Sequence, residues 1–313
     1  MECVFGIDIG GTNIKIGKFH GDEMAESRQV KTDKGAAGAN IIADVARAVR
    51  EMQGDDVIAG IGVGVPGPVM DGVVLGAQNL GWKELNVIKE FEKYFPGVVI
   101  RVLNDANAAA VGEWAYGGGA GFSSFIFMTL GTGIGGGLII NNELVEGASG
   151  STGEIGHIRV GYHNDRLCTC GLYDCIEQYA SATGIVITAN RLRVGRETIL
   201  NEVEVTSKNV FDYAQLGDEV CLEVVNNMVE KLASALAAIT NTVNPEAIVL
   251  GGGVSKAGQF LLDRVEKRFR ELAFFSVRDT KFALAKMGNA AGMYGCAYEV
   301  RKKICRLRST ADW

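Results

Sequence analysis

The sequence predicts an α/β fold built from two lobes. Runs of β-branched residues alternate with segments of helical periodicity, which is typical of layered α/β proteins whose strands lead into helices. The chain has 313 residues, more than one hydrophobic core usually supports. A glycine-rich strand–turn–strand unit near the start is echoed halfway along the chain. We therefore expect two similar lobes with a cleft between them.

Seven strands and one long helix are the clearest predicted elements. The strands are predicted at residues 4–9, 14–19, 57–65, 98–103, 123–130, 137–140 and 247–250. The helix is predicted at residues 219–243, because apolar residues recur there at steps of three and four, and Pro245 ends it. The apolar stripe that we expect in the core consists of Leu222, Val225, Val229, Leu232, Leu236, Ile239 and Val243.

Composition argues against several classes of protein. The formal net charge is −6, the isoelectric point is near 5.3 and no basic stripe is present, so a nucleic-acid partner is not expected. No apolar run reaches the roughly 18 residues of a membrane span, and no signal peptide follows Met1. Seven cysteines in a chain of this length fit a reducing compartment better than a disulfide framework. We expect a cytoplasmic protein with no membrane partner.

Residues 153–178 concentrate metal ligands and carboxylates. The candidate ligands are His157, Cys168, Cys170 and Cys175. Three thiolates and one imidazole complete a tetrahedral zinc shell, and a closed shell of four protein ligands indicates a structural zinc. Zinc alone needs no flanking carboxylates, so Glu154 and Glu177 are expected to bind a ligand that carries hydroxyl groups.

Two glycine-rich turns predict phosphate binding. The first lies in D-I-G-G-T-N-I-K at residues 8–15 and the second in T-L-G-T-G-I-G-G-G at residues 129–137. Such turns expose consecutive backbone N–H groups that can hold phosphate oxygens. Side-chain donors on these turns are Thr12, Lys15 and Thr132. Together with the glycines at 251–253 they indicate a nucleotide, although neither the P-loop nor the dinucleotide motif matches.

Asn104 and Asp105 stand where a predicted strand meets an alanine-rich helix. An Asp at this position can simply cap the helix, and for an isolated Asn-Asp pair that interpretation is favoured. The alternative is a general base at the carboxyl end of a strand, where open α/β sheets bind their ligands. The neighbouring phosphate turns and hydroxyl-binding site favour the base, because phosphoryl transfer needs a carboxylate that aligns the attacking hydroxyl.

The chain resembles the ROK family of sugar kinases and repressors, within the actin and hexokinase superfamily, and most closely its bacterial glucokinases. The matching segments are 8–15, G-V-P-G-P-V at 64–69, Q-N-L-G-W at 78–82, L-N-D-A-N-A at 103–108, L-G-T-G-I-G-G-G at 130–137, G-E-I-G-H at 153–157, the cysteine cluster and I-V-L-G-G-G at 248–253. The resemblance implies a two-lobed actin-like ATPase (ribonuclease H-like) fold with the active site in the interdomain cleft.

The resemblance also implies an activity, ATP-dependent phosphorylation of glucose at its 6-hydroxyl, with Mg²⁺ and a structural Zn²⁺. Asp105 would be the general base. The implied sugar ligands are Asn79, Asn104, Glu154, His157 and Glu177. The implied nucleotide-binding residues are Asp8, Gly10, Gly11, Thr12, Lys15, Thr132, Gly133, Gly252 and Gly253. Asp8 would orient hydrated magnesium, and His157 would hold zinc with one ring nitrogen while the other faces the sugar.

For the domains, we expect a smaller N-terminal lobe at residues 1–116, joined by the C-terminal segment 297–313, and a larger lobe at 117–296 that carries the zinc cluster. The glycine-rich residues 117–121 are the expected hinge. A homodimer or higher homo-oligomer is the expected assembly.

The sequence departs from the family pattern at one point and leaves the sugar open. Asp174 stands where the cysteine motif usually has a second Gly; Asp can adopt a left-handed conformation at modest cost, which leaves the rigidity of the loop open.

Alternative substrates are N-acetylmannosamine, N-acetylglucosamine, mannose, fructose and allose. A sugar-responsive repressor is not expected, because the first phosphate-loop strand begins at Val4 and leaves no room for an N-terminal helix-turn-helix.

Overall fold

The computed structural model describes residues 1–311, which form two five-stranded sheets, one small sheet and surrounding helices. The strands are β1 Glu2–Ile9, β2 Asn13–His20, β3 Glu23–Lys31, β4 Val57–Val65, β5 Val69–Met70, β6 Val73–Val74, β7 Leu85–Asn86, β8 Val99–Asn104, β9 Phe125–Leu130, β10 Ile134–Ile140, β11 Glu143–Leu144, β12 Ala247–Gly251 and β13 Lys281–Leu284. The helices are α1 Ile41–Gln53, α2 Val87–Glu92, α3 Asp105–Tyr116, α4 Glu177–Ala180, α5 Ala182–Leu192, α6 Ser207–Gln215, α7 Glu219–Val243, α8 Gln259–Leu272 and α9 Ala291–Ala311.

The two large sheets repeat one topology. The first has the order β3-β2-β1-β4-β8 and the second the order β11-β10-β9-β12-β13. In each sheet the first three strands of the chain pair antiparallel and the last two add in parallel. The duplication expected from the two glycine-rich turns is therefore present in the strand order, and each turn joins the first two strands of its sheet.

The long helix α7 has the predicted bounds, Glu219–Val243. It begins at Asp218, whose carboxylate accepts the N–H of Cys221 at 2.9 Å, and ends at Asn244, whose φ is +50°. Its predicted stripe is buried at Val225, Val229, Leu232 and Leu236 and half-buried at Leu222, Ile239 and Val243. The stripe therefore packs in the core of the second lobe as expected, with its two ends nearer the surface.

All seven predicted strands exist, but others were missed, and three begin earlier than predicted, most of all β10. β3 has the sequence E-M-A-E-S-R-Q-V-K and lies at the edge of its sheet. It was missed because this strand is polar and mostly exposed, so its sequence lacks the alternation of apolar and polar residues that predicts a strand. β10 begins at Ile134 rather than at 137, because Gly135 and Gly136 belong to the strand together with Gly137. Helix α3 packs directly on them: a Cβ at Gly137 would lie 2.6 Å from Cβ of Ala110.

The last helix returns the chain to the first sheet. α9 packs against β1, β4 and β8 and against α3. We therefore propose that the return segment of the N-terminal lobe begins at Ala291 rather than at 297; positions 312–313 of the predicted segment lie outside the described residues. Among residues 1–311, no helix combines the length and apolar character needed to cross a bilayer.

Glu113 ties together the two chain segments that run between the sheets. Its side chain is fully buried, near the end of α3. Its Oε2 atom accepts the N–H of Gly118 at 2.7 Å and of Lys286 at 2.9 Å, and Oε1 accepts that of Met287 at 2.8 Å. The expected hinge at 117–121 and the segment that leads into α9 are therefore both held by one carboxylate.

Glu113→Ala should destabilise the protein strongly, because three backbone N–H groups, of which that of Gly118 is buried, lose their acceptor. At about 1 kcal/mol or more for each unpaired donor, the free energy of unfolding should fall by roughly 3 kcal/mol. Urea denaturation measures this fall, and Glu92→Ala, which changes an exposed glutamate, is the control. A loss below about 1 kcal/mol would show that these donors find other partners.

Candidate active site

A cleft of about 790 Å³ opens at the carboxyl ends of β1, β4, β8 and β9, where open α/β sheets bind ligands. It brings together residues that are distant in sequence. Of the residues predicted for the site, those that line it are Asp8, Lys15, Asn79, Asn104, Asp105, Gly133, Glu154, His157, Cys170 and Glu177. The predicted residues outside its lining are Gly10, Gly11, Thr12, Thr132, Cys168, Cys175, Gly252 and Gly253.

A backbone hydrogen bond closes each of the two glycine-rich turns. Gly10 N–H donates to Asn13 O at 3.1 Å and closes the first turn, and Gly131 N–H donates to Gly133 O at 2.9 Å and closes the second. The next backbone N–H groups of each turn have no acceptor among residues 1–311; they belong to Gly11, Thr12, Thr132 and Gly133. Free adjacent donors of this kind can bind phosphate oxygens. Gly252 and Gly253 follow β12, and their role in nucleotide binding stays a prediction.

Asp8 and Lys15 face each other across β1 and β2. They are direct register partners, and Lys15 Nζ lies 3.3 Å from Oδ2 of Asp8. Gly292 at the start of α9 approaches from the other side, since a Cβ there would lie 3.2 Å from Cγ of Asp8. The carboxylate is therefore held at the floor of the cleft with one oxygen paired and the other open.

The helix-cap role that was considered for Asp105 is filled by Asn104. Asn104 is the N-cap of α3: its Oδ1 accepts the N–H groups of Ala106 at 2.9 Å and Asn107 at 3.1 Å. Its Nδ2 donates to Gly67 O at 3.1 Å, which leaves one amide hydrogen for a substrate. Asp105 is the first helical residue and is not needed as the cap. Its carboxylate lines the cleft, with only Oδ1 engaged, by the N–H of Ala106 at 2.8 Å.

The environment of Asp105 suits a general base. Burial raises its pKa to about 6, and the negative charges of Asp8 and Glu154 act in the same direction, against the N–H of Ala106. A carboxylate with this pKa is ionised near neutral pH and is a stronger proton acceptor than an exposed aspartate.

For the sugar-kinase activity that the sequence resemblance implies, kcat/KM for the sugar should therefore titrate with Asp105. Only the ionised form accepts a proton, so kcat/KM should be constant above pH 7 and fall about tenfold per pH unit below the pKa of about 6. A pH–rate profile with ATP and magnesium saturating measures it. A flat profile down to about pH 5 would contradict the assignment.

The four predicted metal ligands form a compact cluster. Their ligand atoms all lie within 4.8 Å of one another. Cys170 Sγ lies 3.6 Å from Cys175 Sγ, and Cys168 Sγ lies 3.6 Å from His157 Nδ1. Zn–S bonds of about 2.3 Å in a tetrahedral shell place ligand atoms about 3.5–3.8 Å apart. The donor set and its spacing therefore fit a closed zinc site.

The two carboxylates flank this cluster on the cleft side. His157 turns Nδ1 toward the thiols, while its Nε2 lies 3.8 Å from Oε2 of Glu154. Glu177 places Oε1 3.8 Å from Cys168 Sγ, and its Oε2 accepts the N–H of Ile134 at 2.9 Å. Glu177 thus joins the cysteine loop to the second glycine-rich turn.

Asp174, the departure from the family pattern, orders the cysteine loop. Its φ is +60°, the left-handed conformation expected for the usual glycine, and its side chain is fully buried. Its carboxylate accepts hydrogen bonds from the N–H groups of Asn164, Asp165 and Arg166 and from the Tyr179 hydroxyl, at 2.8–3.0 Å. Burial alone would raise the pKa of Asp174, but these donors outweigh it and lower the pKa. Asp174, in place of the usual glycine, therefore adds hydrogen bonds that hold residues 164–166 and Tyr179 to the cysteine loop.

Sequence reasoning missed part of the cleft wall. Residues 288–292, G-N-A-A-G, contribute Gly288, Asn289, Ala291 and Gly292. The sequence signal that could have identified this part of the wall is its run of small residues just before helix α9. The segment 66–68 and the side chain of Gln78 also line the cleft.

Comparison with known proteins gives a consistent result. The profile of the ROK family matches residues 4–303. A glucokinase of Halalkalibacterium halodurans is 37% identical over 95% of this chain and 94% of its own length. An N-acetylmannosamine kinase of Haemophilus influenzae is 28% identical over 96% of both chains.

Among solved structures, the ROK family glucokinase of Streptomyces griseus in complex with glucose and AMPPNP superposes with a TM-score of 0.79. It is 33% identical, and the match covers 96% of this chain and 99% of that one. The predicted two-lobed actin-like ATPase fold is confirmed.

Proposed function

The chain belongs to the ROK family, and from that premise we propose that it is a sugar kinase that transfers the γ-phosphate of ATP to the 6-hydroxyl of glucose. One observation carries the proposal: Asp105, released from capping by Asn104, lies in the cleft near Asp8 and Glu154 with a pKa of about 6. The similarity to two bacterial glucokinases supports glucose as the sugar.

In the proposed reaction Asp105 accepts the proton of the sugar 6-hydroxyl. The oxygen attacks the γ-phosphorus, an O–P bond forms, and the bond between the γ-phosphorus and the β–γ bridging oxygen breaks, so ADP leaves. The free N–H groups at Gly11, Thr12, Thr132 and Gly133 bind the phosphate oxygens and hold the nucleotide in line.

Two metals fit residues of the site. Asp8 has one carboxylate oxygen open toward the cleft, which suits Mg²⁺. When bound, Mg²⁺ would neutralise negative charge on the phosphate oxygens. His157 and the three cysteines suit Zn²⁺, which would hold the loop that carries the sugar-binding carboxylates.

The sugar would be held by its hydroxyl groups. The residues proposed to bind them are Asn79, Asn104, Glu154, His157 and Glu177. All five line the cleft together with Asp105, and carboxylate and amide groups match vicinal hydroxyls. The relative that is an N-acetylmannosamine kinase makes an N-acetylhexosamine the second candidate substrate.

An ADP-release assay over glucose, mannose, fructose, allose, N-acetylglucosamine and N-acetylmannosamine tests the proposal. We expect the highest kcat/KM with glucose. A higher value with an N-acetylhexosamine would establish the second candidate, and no sugar-dependent release with any of the six would refute the kinase.

A further inference from the structure

Residues 32–38 form a bridge between the first glycine-rich turn and the segment that carries the proposed sugar ligand Asn79. At one end, Thr32 Oγ1 donates to Gly10 O at 2.7 Å. At the other end, Gly38 O accepts Nε1 of Trp82 at 3.1 Å. The bridge is therefore fixed both to the nucleotide side and to the sugar side of the cleft.

The backbone of this bridge is held in a strained conformation. Ala36 and Ala37 have φ of +47° and +55°, and Gly38 follows with +71°. Alanine rarely adopts the left-handed conformation, because its Cβ then lies too close to the following carbonyl oxygen. Asp33 supports the turn, because its carboxylate accepts the N–H of Gly35 at 2.8 Å. Strain of this kind persists where the surrounding structure requires it, and it is frequent at ligand-binding sites.

The bridge places the ammonium group of Lys34 at the first glycine-rich turn. A Cβ at Gly11 would lie 3.6 Å from Lys34 Nζ, and the same point is 3.3 Å from Cβ of Asn79. Within residues 1–311 Lys34 makes no ion pair or side-chain hydrogen bond, whereas Lys15 on the same turn is paired with Asp8. Lys34 is thus an uncompensated positive charge where the nucleotide turn meets the sugar segment.

We propose that Lys34 is a further phosphate-binding residue, which contacts the terminal phosphate of the nucleoside triphosphate as it passes to the sugar. This role rests on the proposed kinase function. The β- and α-phosphates would be held by backbone N–H groups, and Lys34, which lies beside Gly11 and Asn79, would meet the phosphate that faces the sugar. A lysine side chain supplies a mobile point charge for that purpose.

Lys34→Met should lower kcat about tenfold to a hundredfold, less than the loss of a buried donor to a developing charge because Lys34 is exposed, and change the KM for sugar by less than about twofold. Lys34→Arg should restore most of kcat, because it keeps the charge. Lys31→Met, which changes an exposed lysine at the end of β3, next to the bridge, is the matched control. Because Lys34 is exposed, the melting temperature should not change.

Calorimetric titration separates this role from a structural one and does not depend on turnover. Lys34→Met should weaken AMPPNP about tenfold while the affinity for ADP, which lacks the terminal phosphate, stays the same. Equal affinities of wild type and variant for AMPPNP, or equal losses for both nucleotides, would overturn the proposal. If the wild type phosphorylated no sugar, the kinase proposal would fail, but the difference between AMPPNP and ADP would still decide the role of Lys34.

Discussion

Asp105→Asn should lower the turnover number by about 10²–10⁴ while the KM for sugar changes little. The amide keeps the shape of the side chain and can still hydrogen-bond the hydroxyl, but it cannot accept the proton. Binding and proton transfer are separated in this way only if Asp105 acts in the chemical step. Steady-state kinetics with saturating ATP measures both constants.

Stability provides the control for the same variant. The raised pKa of Asp105 means that its ionised form is disfavoured in the folded protein, so at pH above about 6 its charge opposes folding. Asp105→Asn should therefore leave the melting temperature at pH 8 unchanged or higher. A lowered melting temperature with unchanged turnover would return Asp105 to the role of a helix cap.

Cys170→Ser should remove stoichiometric zinc and raise the KM for sugar by at least about tenfold. The serine hydroxyl is a poor zinc ligand, and loss of the metal frees the loop that positions His157 and the two glutamates. Nucleotide affinity should change little, because the free N–H groups of the glycine-rich turns belong to other segments. Elemental analysis, sugar kinetics and ADP titration measure the three quantities.

Cys305→Ser is the matched control for the zinc variant, since Cys305 is also an exposed free cysteine but lies on α9, away from the cluster. It should keep both the metal and the activity. Wild-type protein without zinc, or Cys170→Ser that weakens sugar and nucleotide equally, would contradict the positioning role of the cluster.

The elements that were predicted well from the sequence are the buried ones, because burial requires a recognisable pattern of apolar residues. Helix α7 repeats apolar residues along one face, and β4 and β12 are apolar runs covered by neighbouring elements, so their positions follow from the sequence. β3 has no such pattern, because its exposed edge accepts charged residues. Its place in the sheet is set by pairing with β2.

The candidate site also has parts that could be predicted from the sequence and parts that could not. The cysteine cluster and the glycine-rich turns are local in sequence, so spacing alone was enough to predict that their residues lie close together. The roles of Asn104 and Asp105 depend on which carbonyl or carboxyl oxygen meets the first N–H groups of α3, which spacing does not determine. Lys34 belongs to no motif, and only the fold brings it to Gly11 and Asn79.

The most direct test of the account is to identify the atom that is phosphorylated. Wild-type protein, ATP, magnesium and glucose labelled with carbon-13 at the sixth carbon are followed by carbon and phosphorus NMR. We expect the labelled signal to split by coupling to phosphorus, at a rate that Asp105→Asn greatly lowers. Phosphate on the anomeric oxygen, no sugar phosphate, or the same rate in Asp105→Asn would contradict it.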